Sequence, residues 1–196
     1  MHHLYNEKSF ILGSYDIGET GKIFKLLTEN LGLVQAKAAG IRKIESKLKN
    51  LTQDFSFIEA SLVYGKGGFK MINADLVNHL FYELNDSEII FLKNIFNLII
   101  KMSPEEDPES ELFKIVEFGV NLLKKDVVET DLLEILIVLK ILNHLVYIGD
   151  ELKIQQKIFL ENKATPTELA SILDYIRTNQ KQLIKTINES ISHSQL

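Results

Sequence analysis

The sequence predicts an α+β protein in which short strands give way to helices near residue 75. Up to that point, β-prone runs are separated by glycines, and beyond it apolar residues recur at spacings of three and four behind capping residues. We therefore expect a strand domain over residues 1–80 and a helical domain over residues 81–196. The chain has 196 residues, 45% of them hydrophobic and 25% charged, which excludes a fully disordered chain and a collagen-like repeat.

Five short strands are predicted in the first region. Residues 33–38 alternate between apolar and polar side chains, and the sequence Gly65-Lys66-Gly67-Gly68 predicts a hairpin turn. The predicted strands are Ser9–Tyr15, Lys22–Thr28, Leu33–Ala38, Asp54–Tyr64 and Phe69–Ile72. Five strands with glycine turns and one longer connection, over residues 40–52, favour a small closed barrel of the OB type.

Helices are predicted wherever a capping residue precedes an apolar repeat. The predicted starts are Asp86, for a helix over Ser87–Met102; Asp107 before Pro108, for a helix to about Lys125; Thr130; and Thr165. The helix after Thr130 is apolar on all sides, which is typical of a buried helix.

The last helix has the most complete start pattern in the chain. Thr165 and Glu168 form a capping box, with Pro166 at the first helical position. An apolar stripe then runs from Leu169 to Ile191. The stripe fits a helix packed on the helical region better than a coiled-coil face for another chain, and we expect residues 192–196 to fray.

No pattern in the sequence is typical of an enzyme, a cofactor site or a metal site. Cysteine is absent, which excludes disulfides, a thiol nucleophile and a Cys-based zinc site, and the five histidines are scattered. The run from Gly18 to Lys22 resembles part of a phosphate-binding loop, but it has two residues between the glycines where that motif needs four. We expect a turn between the first two strands there.

Charge is distributed unevenly along the chain. The net charge is −5, made of +2 over residues 1–80 and −7 over residues 81–196. One short window carries +4, because five basic residues there face only Glu45: Lys37, Arg42, Lys43, Lys47 and Lys49. Such a window predicts contact with a polyanion such as DNA, although a solvated loop without a partner has the same composition. Three further lysines either extend the predicted track or belong, equally well, to the ordinary exterior of the barrel: Lys22, Lys66 and Lys70.

Aromatic residues in the strand region are candidates for stacking on bases. Tyr15 and Phe69 lie near predicted turns, so we expect them to be exposed. Four others are expected in the barrel core: Phe10, Phe24, Phe55 and Phe57.

Motifs in residues 8–80 closely resemble the RecO family of bacterial recombination-mediator proteins, and the helices to Gly149 match only by pattern. A Tyr-x-x-Gly-Glu turn appears at Tyr15, Gly18 and Glu19. The following family motifs occur in order as Leu27-Thr28, Gly32-Leu33, Ala38-Ala39-Gly40, Arg42-Lys43, Ser46-Lys47-Leu48 and Gln53-Asp54-Phe55. Many members carry a four-cysteine zinc module after the position of Gly149. Here residues 150–163 take its place, which implies a short form without zinc.

The resemblance implies a non-enzymatic protein that binds single- and double-stranded DNA and anneals complementary strands. It also implies interaction with RecR and the single-strand-binding protein in loading RecA, in the cytoplasm at the nucleoid. No segment is apolar enough to span a membrane, and the N-terminus lacks the pattern of a signal peptide. The acidic helical region also fits a second hypothesis, a protein-interaction adapter whose barrel has lost DNA binding.

Overall fold

The computed structural model describes residues 3–105, 108, 110–125, 128–147 and 165–193. It divides into two compact units, one formed by residues 1–85 with 103–113 and the other by residues 86–102 with 114–196. The predicted α+β class is confirmed, since five strands are followed by helices. The domain boundary at residue 80 stays a prediction.

The first unit is built on a closed five-stranded barrel. Its strands are β1 (Leu4–Ile17), β2 (Gly21–Thr28), β3 (Gly32–Ala38), β4 (Ser56–Gly65) and β5 (Gly68–His79). The order around the barrel is β1-β2-β3-β5-β4, and β4 pairs back to β1. Every neighbouring pair is antiparallel except β3 and β5, which run parallel. This is the OB-type arrangement that the sequence predicts.

Alternating apolar side chains fill the barrel interior. In β3, Val34, Ala36 and Ala38 are fully buried, while Lys37 on the opposite face is exposed. The interior cluster also contains residues from the other four strands: Ile11, Phe24, Leu26, Ile58, Ala60, Leu62, Phe69, Met71 and Ala74. Removing these side chains from water supplies the main stabilisation of the barrel.

Glycines with positive φ stand at tight turns of the barrel, two of which the sequence predicts. Gly18 follows β1 with φ of 58°, and Gly68 closes the β4–β5 hairpin with φ of 83°. Both lie in the left-handed region that other residues rarely adopt. The run from Gly18 to Lys22 is thus a turn leading into β2, as predicted, and the predicted hairpin is confirmed by the pairing of Gly65 with Gly68.

Two strands are longer than the sequence predicts. β1 begins at Leu4 rather than Ser9, because its first part pairs with β4 from Leu4–Val63 to Phe10–Phe57. β5 continues to His79 rather than ending at Ile72, again paired with β4. Register shifts in the β4–β5 ladder interrupt the alternation there, so the local pattern does not reveal the extension.

The described residues after the strands form five helices: α1 (Leu80–Glu83), α2 (Asp86–Met102), α3 (Glu111–Leu123), α4 (Thr130–His144) and α5 (Pro166–His193). α1 belongs to the barrel unit. In the helical unit, α4 packs against both α2 and α5. Most residues of α4 are buried, which confirms the prediction of a buried helix. No helix in the described part of the chain is both long and apolar enough to cross a membrane.

Three helix starts differ from the predictions, and the first is α2, which begins at Asp86, the predicted cap, rather than at Ser87. α3 begins at Glu111 rather than Pro108, and Glu105 upstream forms a parallel bridge with Leu33 of β3. Asp107, the predicted cap, lies outside the described residues, as does the segment 150–163 that takes the place of the zinc module. Thr130 is the first residue of α4 rather than its cap. Glu129 is the cap, and its carbonyl accepts a hydrogen bond of 3.0 Å from the Leu133 amide.

The predicted capping box of α5 is confirmed. The Thr165 amide donates to the Glu168 carboxylate at 2.7 Å, and the Glu168 amide donates to Thr165 Oγ1 at 3.3 Å. The stripe that follows buries Ile172, Ile176 and Leu183 among others, while Ile184 stays 41% exposed. α5 packs against α4, so the stripe packs within the helical unit, as predicted.

Candidate nucleic-acid interface

Part of the outer surface of the barrel is a row of side chains that crosses several strands. Lys70 of β5 is in register with Lys37 of β3, which lies beside Ile23 of β2. Ile23 in turn lies beside Tyr15 of β1. Lys37 and Lys70 alternate with buried neighbours, and Ile23 and Tyr15 continue the same register, so these side chains share the outer face. We call Lys70, Lys37, Ile23 and Tyr15 the outer row.

Two lysines stand side by side in the outer row. Lys37 and Lys70 are both exposed and occupy paired positions on adjacent strands, which are about 4.8 Å apart in a sheet. Within the described residues, no carboxylate lies within 4.0 Å of either ammonium group. Like charges in paired positions repel each other. A bound anion would relieve this repulsion, so the pair is well suited to a phosphate backbone.

Tyr15 supplies an aromatic ring at the other end of the outer row. It is 46% exposed, as the sequence predicts, and its hydroxyl donates to Gln35 Oε1 at 2.9 Å. Gln35 also donates through Nε2 to the Glu105 carboxylate. These two bonds fix the polar end of the ring, which leaves an aromatic surface on the same face as the lysines.

The prediction that Phe69 is exposed is wrong. It is only 7% exposed and packs edge-on against Tyr5 and Tyr64, with ring centroids 5.8 and 4.8 Å away. Its register partner in β3 is Ala36, which faces the barrel interior. Phe69 therefore points inward, and closeness to a turn did not reveal which face it occupies.

The predicted core aromatics divide between two environments. Phe24 is buried in the barrel interior, as predicted. Phe10 is also buried, but it stacks on Phe57 at 4.6 Å and meets the tilted ring of Phe113 at 5.2 Å, outside that interior cluster. Phe55 and Phe57 are half-buried.

Lys25 is a basic residue of this face that the sequence analysis missed. It is paired with Gln35 of β3 and is half-buried. Ile23 and Lys25 alternate with the buried Phe24 and Leu26, so strand periodicity alone places Lys25 on the outer face. The same reasoning that assigned Lys37 to this face would have found it.

Arg42, a predicted DNA contact, is engaged within the barrel unit. Its guanidinium lies 3.3 Å from the Asp16 carboxylate and donates to the Gly18 carbonyl at 3.4 Å. Its backbone amide donates to the Thr20 carbonyl at 2.9 Å. Arg42 thus fastens residues 39–55, which we call the basic loop, to the β1–β2 turn. Asp16 partly neutralises its charge.

The other cations of the basic loop are exposed. Lys43 follows the turn at Gly40, and Lys47 and Lys49 lie in a short 3₁₀ helix, Lys47–Asn50. The loop is attached to the barrel core, because Ile41 belongs to the interior cluster and Leu48 packs against that cluster. In the described part of the chain, none of the three lysines has a carboxylate within 4.0 Å. Each therefore presents a full positive charge to solvent.

The remaining two predicted cations lie elsewhere on the barrel. Lys22 is half-buried, and its Nζ donates to Ser14 Oγ at 3.3 Å, while Ser14 donates to Asp54 at 2.8 Å. Lys66 is exposed in the β4–β5 turn. The predicted set is therefore divided among the outer row, the basic loop, the Ser14 network and the hairpin.

The helical unit offers a contrasting surface. A groove of about 390 Å³ lies between α4 and α5, with an apolar floor that includes Ile135 and Ile187. Asp131 and Glu134 line it. These carboxylates repel phosphates, so the groove is unsuited to DNA. Among the described residues, no three His, Asp or Glu side chains come together in a way that could hold a metal ion.

Comparison with known proteins identifies the family. Residues 1–79, which include the whole outer row, match the family model described as "Recombination protein O N terminal". The DNA repair protein RecO of Clostridium novyi is 30% identical over 140 residues, which is 71% of this chain and 55% of that protein. The chain belongs to the RecO family. The matched residues contain the turn motif that first suggested the family, Tyr15, Gly18 and Glu19.

Other relatives carry the same name. The DNA repair protein RecO of Clostridium perfringens is 25% identical over 163 residues, 83% of this chain and 65% of that protein. The DNA repair protein RecO of Thermodesulfovibrio yellowstonii is 27% identical over 115 residues, 57% of this chain and 46% of that protein. The chain spans about half the length of the curated relatives it matches.

Proposed function

We propose that this chain is a non-enzymatic, DNA-binding recombination mediator that acts in DNA repair. Its relatives are named DNA repair proteins. The observation that carries the proposal for this chain is the pair Lys37 and Lys70, side by side without a carboxylate partner in the described structure. This pair lies in one row with Tyr15, and charge beside an exposed ring is what a single-strand surface requires.

The proposed mode of binding is contact with the phosphate backbone. Lys37 and Lys70 replace condensed counterions on the strand, and Lys43 and Lys47 of the basic loop add two further cations. Such contacts read no sequence, because phosphates are the same at every base. Neutralising the backbone also lowers the repulsion between two strands, which favours annealing of complementary DNA.

The proposed partners follow from family membership. They are single-stranded DNA first, then duplex DNA, RecR and the single-strand-binding protein, with loading of RecA as the outcome. The proposed location is the cytoplasm, at the nucleoid. Neither zinc nor another cofactor has a part in this proposal, since the chain has no cysteine.

The test is a titration of the protein with a fluorescent single-stranded oligonucleotide at several salt concentrations. If the four lysines each neutralise one phosphate, log K falls against log salt with a slope of about −3. The double variant Lys37→Ala/Lys70→Ala should bind more weakly and flatten the slope by about 1.4. The charge-matched control is Lys93→Ala/Lys101→Ala, on the exposed side of α2, which should bind like the parent protein.

An equal slope and an equal affinity in the Lys37/Lys70 double variant and the parent would overturn the proposed surface. A parent protein that binds no oligonucleotide even at low salt would favour the adapter hypothesis. The apolar groove between α4 and α5 would then be the surface to examine for a protein partner.

A further inference from the structure

The barrel unit carries a pair of exposed aromatic side chains that do not belong to the outer row. Phe81 and Tyr82 of α1 expose 53% and 69% of their surface. Their rings are perpendicular, at 89°, with centroids 5.6 Å apart. Large aromatic rings are normally removed from water, so two adjacent exposed rings indicate a binding surface. We call these two residues the aromatic pair.

The two residues that precede the aromatic pair are held in place by burial and hydrogen bonds. Leu80, the first residue of α1, is 1% exposed and its amide donates to the Phe55 carbonyl at 3.1 Å. The preceding residue, His79, is hydrogen-bonded through Nδ1 to Ser56 Oγ at 2.7 Å. With Leu80 buried, the next two side chains are turned toward solvent. The exposure is thus fixed by the fold and is not a property of a loose end.

The same contacts place the aromatic pair at the exit of the basic loop. The Tyr82 hydroxyl donates to Gln53 Oε1 at 3.2 Å, and Gln53 is four residues from Lys49. Four residues span at most about 14 Å when fully extended. The chain between them is more compact than that, because the Thr52 amide and hydroxyl both bond to the Leu48 carbonyl. The backbone of Lys49 therefore lies within about 14 Å of Gln53, the residue that binds the Tyr82 hydroxyl, and Lys47 is in the same short helix as Lys49.

We propose that the aromatic pair is a base-stacking platform for single-stranded nucleic acid, with Lys47 and Lys49 holding the adjacent phosphates. The proposal rests on the proposed DNA-binding function and extends it to a site that follows β5. Exposed rings next to unpaired ammonium groups are the combination that binds single strands without sequence preference. The charge of the loop helix, which holds two lysines and no carboxylate, favours a polyanion such as nucleic acid over a basic or purely apolar partner.

The chain contains no tryptophan, so a single Tyr82→Trp substitution introduces a unique fluorescent probe at the platform. We expect an oligothymidylate to quench this probe, because a base stacks on the ring. An abasic oligonucleotide of the same length should bind through its phosphates without quenching. The matched control is Tyr147→Trp, at an exposed position in the helical unit, whose fluorescence should not change with either strand.

A second variant tests the energetic contribution of the rings. Phe81→Leu/Tyr82→Leu keeps apolar side chains but removes both π faces, and we expect it to bind oligothymidylate about tenfold more weakly than the parent. Its salt slope should equal that of the parent, since no charge is lost. Lys47→Ala/Lys49→Ala should instead flatten the slope by about 1.4. Thermal melting checks that each variant is folded.

The outcomes separate this inference from the proposed function. If the parent binds the oligonucleotide through Lys37 and Lys70 but the Tyr82→Trp probe is not quenched, the platform does not exist and the proposed function stands. Unchanged binding by Phe81→Leu/Tyr82→Leu would also overturn it and assign the rings to a protein contact. A parent that binds no oligonucleotide overturns both.

Discussion

At the scale of single residues, the start of α5 shows how two side chains define a helix end. Thr165 Oγ1 accepts from the Glu168 amide and donates to the Glu168 carboxylate, which also accepts from the Thr165 amide. We expect Thr165→Ala to lower the free energy of unfolding by about 1 kcal/mol, the usual effect of losing such a cap. Thr167→Ala, two positions on and also exposed, is the control and should leave the melting temperature nearly unchanged. Equal melting curves for the two variants would contradict this role.

The same box makes part of the stability depend on pH. Hydrogen bonds from the backbone and the side chain of Thr165 hold the pKa of Glu168 below its ordinary value of 4.5. The carboxylate therefore stabilises the helix above pH 4.5, and this stabilisation is lost as the pH falls through the lowered pKa. Glu168→Gln cannot titrate, so its unfolding should lack this part of the acid dependence. Urea titrations from pH 6 to pH 3 compare the free energy of unfolding of the parent and of Glu168→Gln. Parallel pH profiles would contradict a stabilising role of the ionised Glu168.

At the scale of elements, the basic loop illustrates that a charge in the sequence is not always a charge at the surface. Arg42 is paired with Asp16, whereas Lys43 and Lys47 have no such partner among the described residues. We expect Lys43→Ala/Lys47→Ala to flatten the salt slope of single-strand binding by about 1.4. Arg42→Ala should flatten it much less, since Asp16 already neutralises part of that charge. The experiment is the oligonucleotide titration, and a larger effect from Arg42 than from the two lysines would show that the strand displaces Asp16.

Elements that are determined by neighbouring residues could be predicted from the sequence. Elements that depend on pairing with residues distant in the sequence could not. β3 and the start of α5 were found because alternation and a capping box lie within a few residues. The start of β1 at Leu4 depends on pairing with Val63, which no local pattern contains. The same holds for the candidate site. The sequence shows the window of charge +4, but the pairing of Lys37 with Lys70 depends on the register of two strands that are distant in the sequence.

At the scale of the whole molecule, the lysines of the proposed DNA-binding surface belong to a protein whose net charge is −5. Among the described residues, Lys37 and Lys70 of the barrel unit have no carboxylate partner, while the groove of the helical unit is lined by Asp131 and Glu134. These two carboxylates repel a polyanion, so under the proposed function we expect a bound strand to contact the barrel unit. Binding should therefore be local and salt-sensitive rather than a general attraction.

The absence of cysteine predicts that the whole chain folds without zinc, unlike the members of the family that carry the four-cysteine module. A structural zinc site requires four ligands in a tetrahedral arrangement, usually with thiolates, and the chain has only scattered histidines to offer. Elemental analysis of purified, untagged protein should find less than one zinc per ten chains. A chelator should leave the melting temperature unchanged, because a metal that binds only the folded state would otherwise raise it. One zinc per chain, together with a chelator-dependent fall in melting temperature, would show that carboxylates and histidines can replace the missing thiolates.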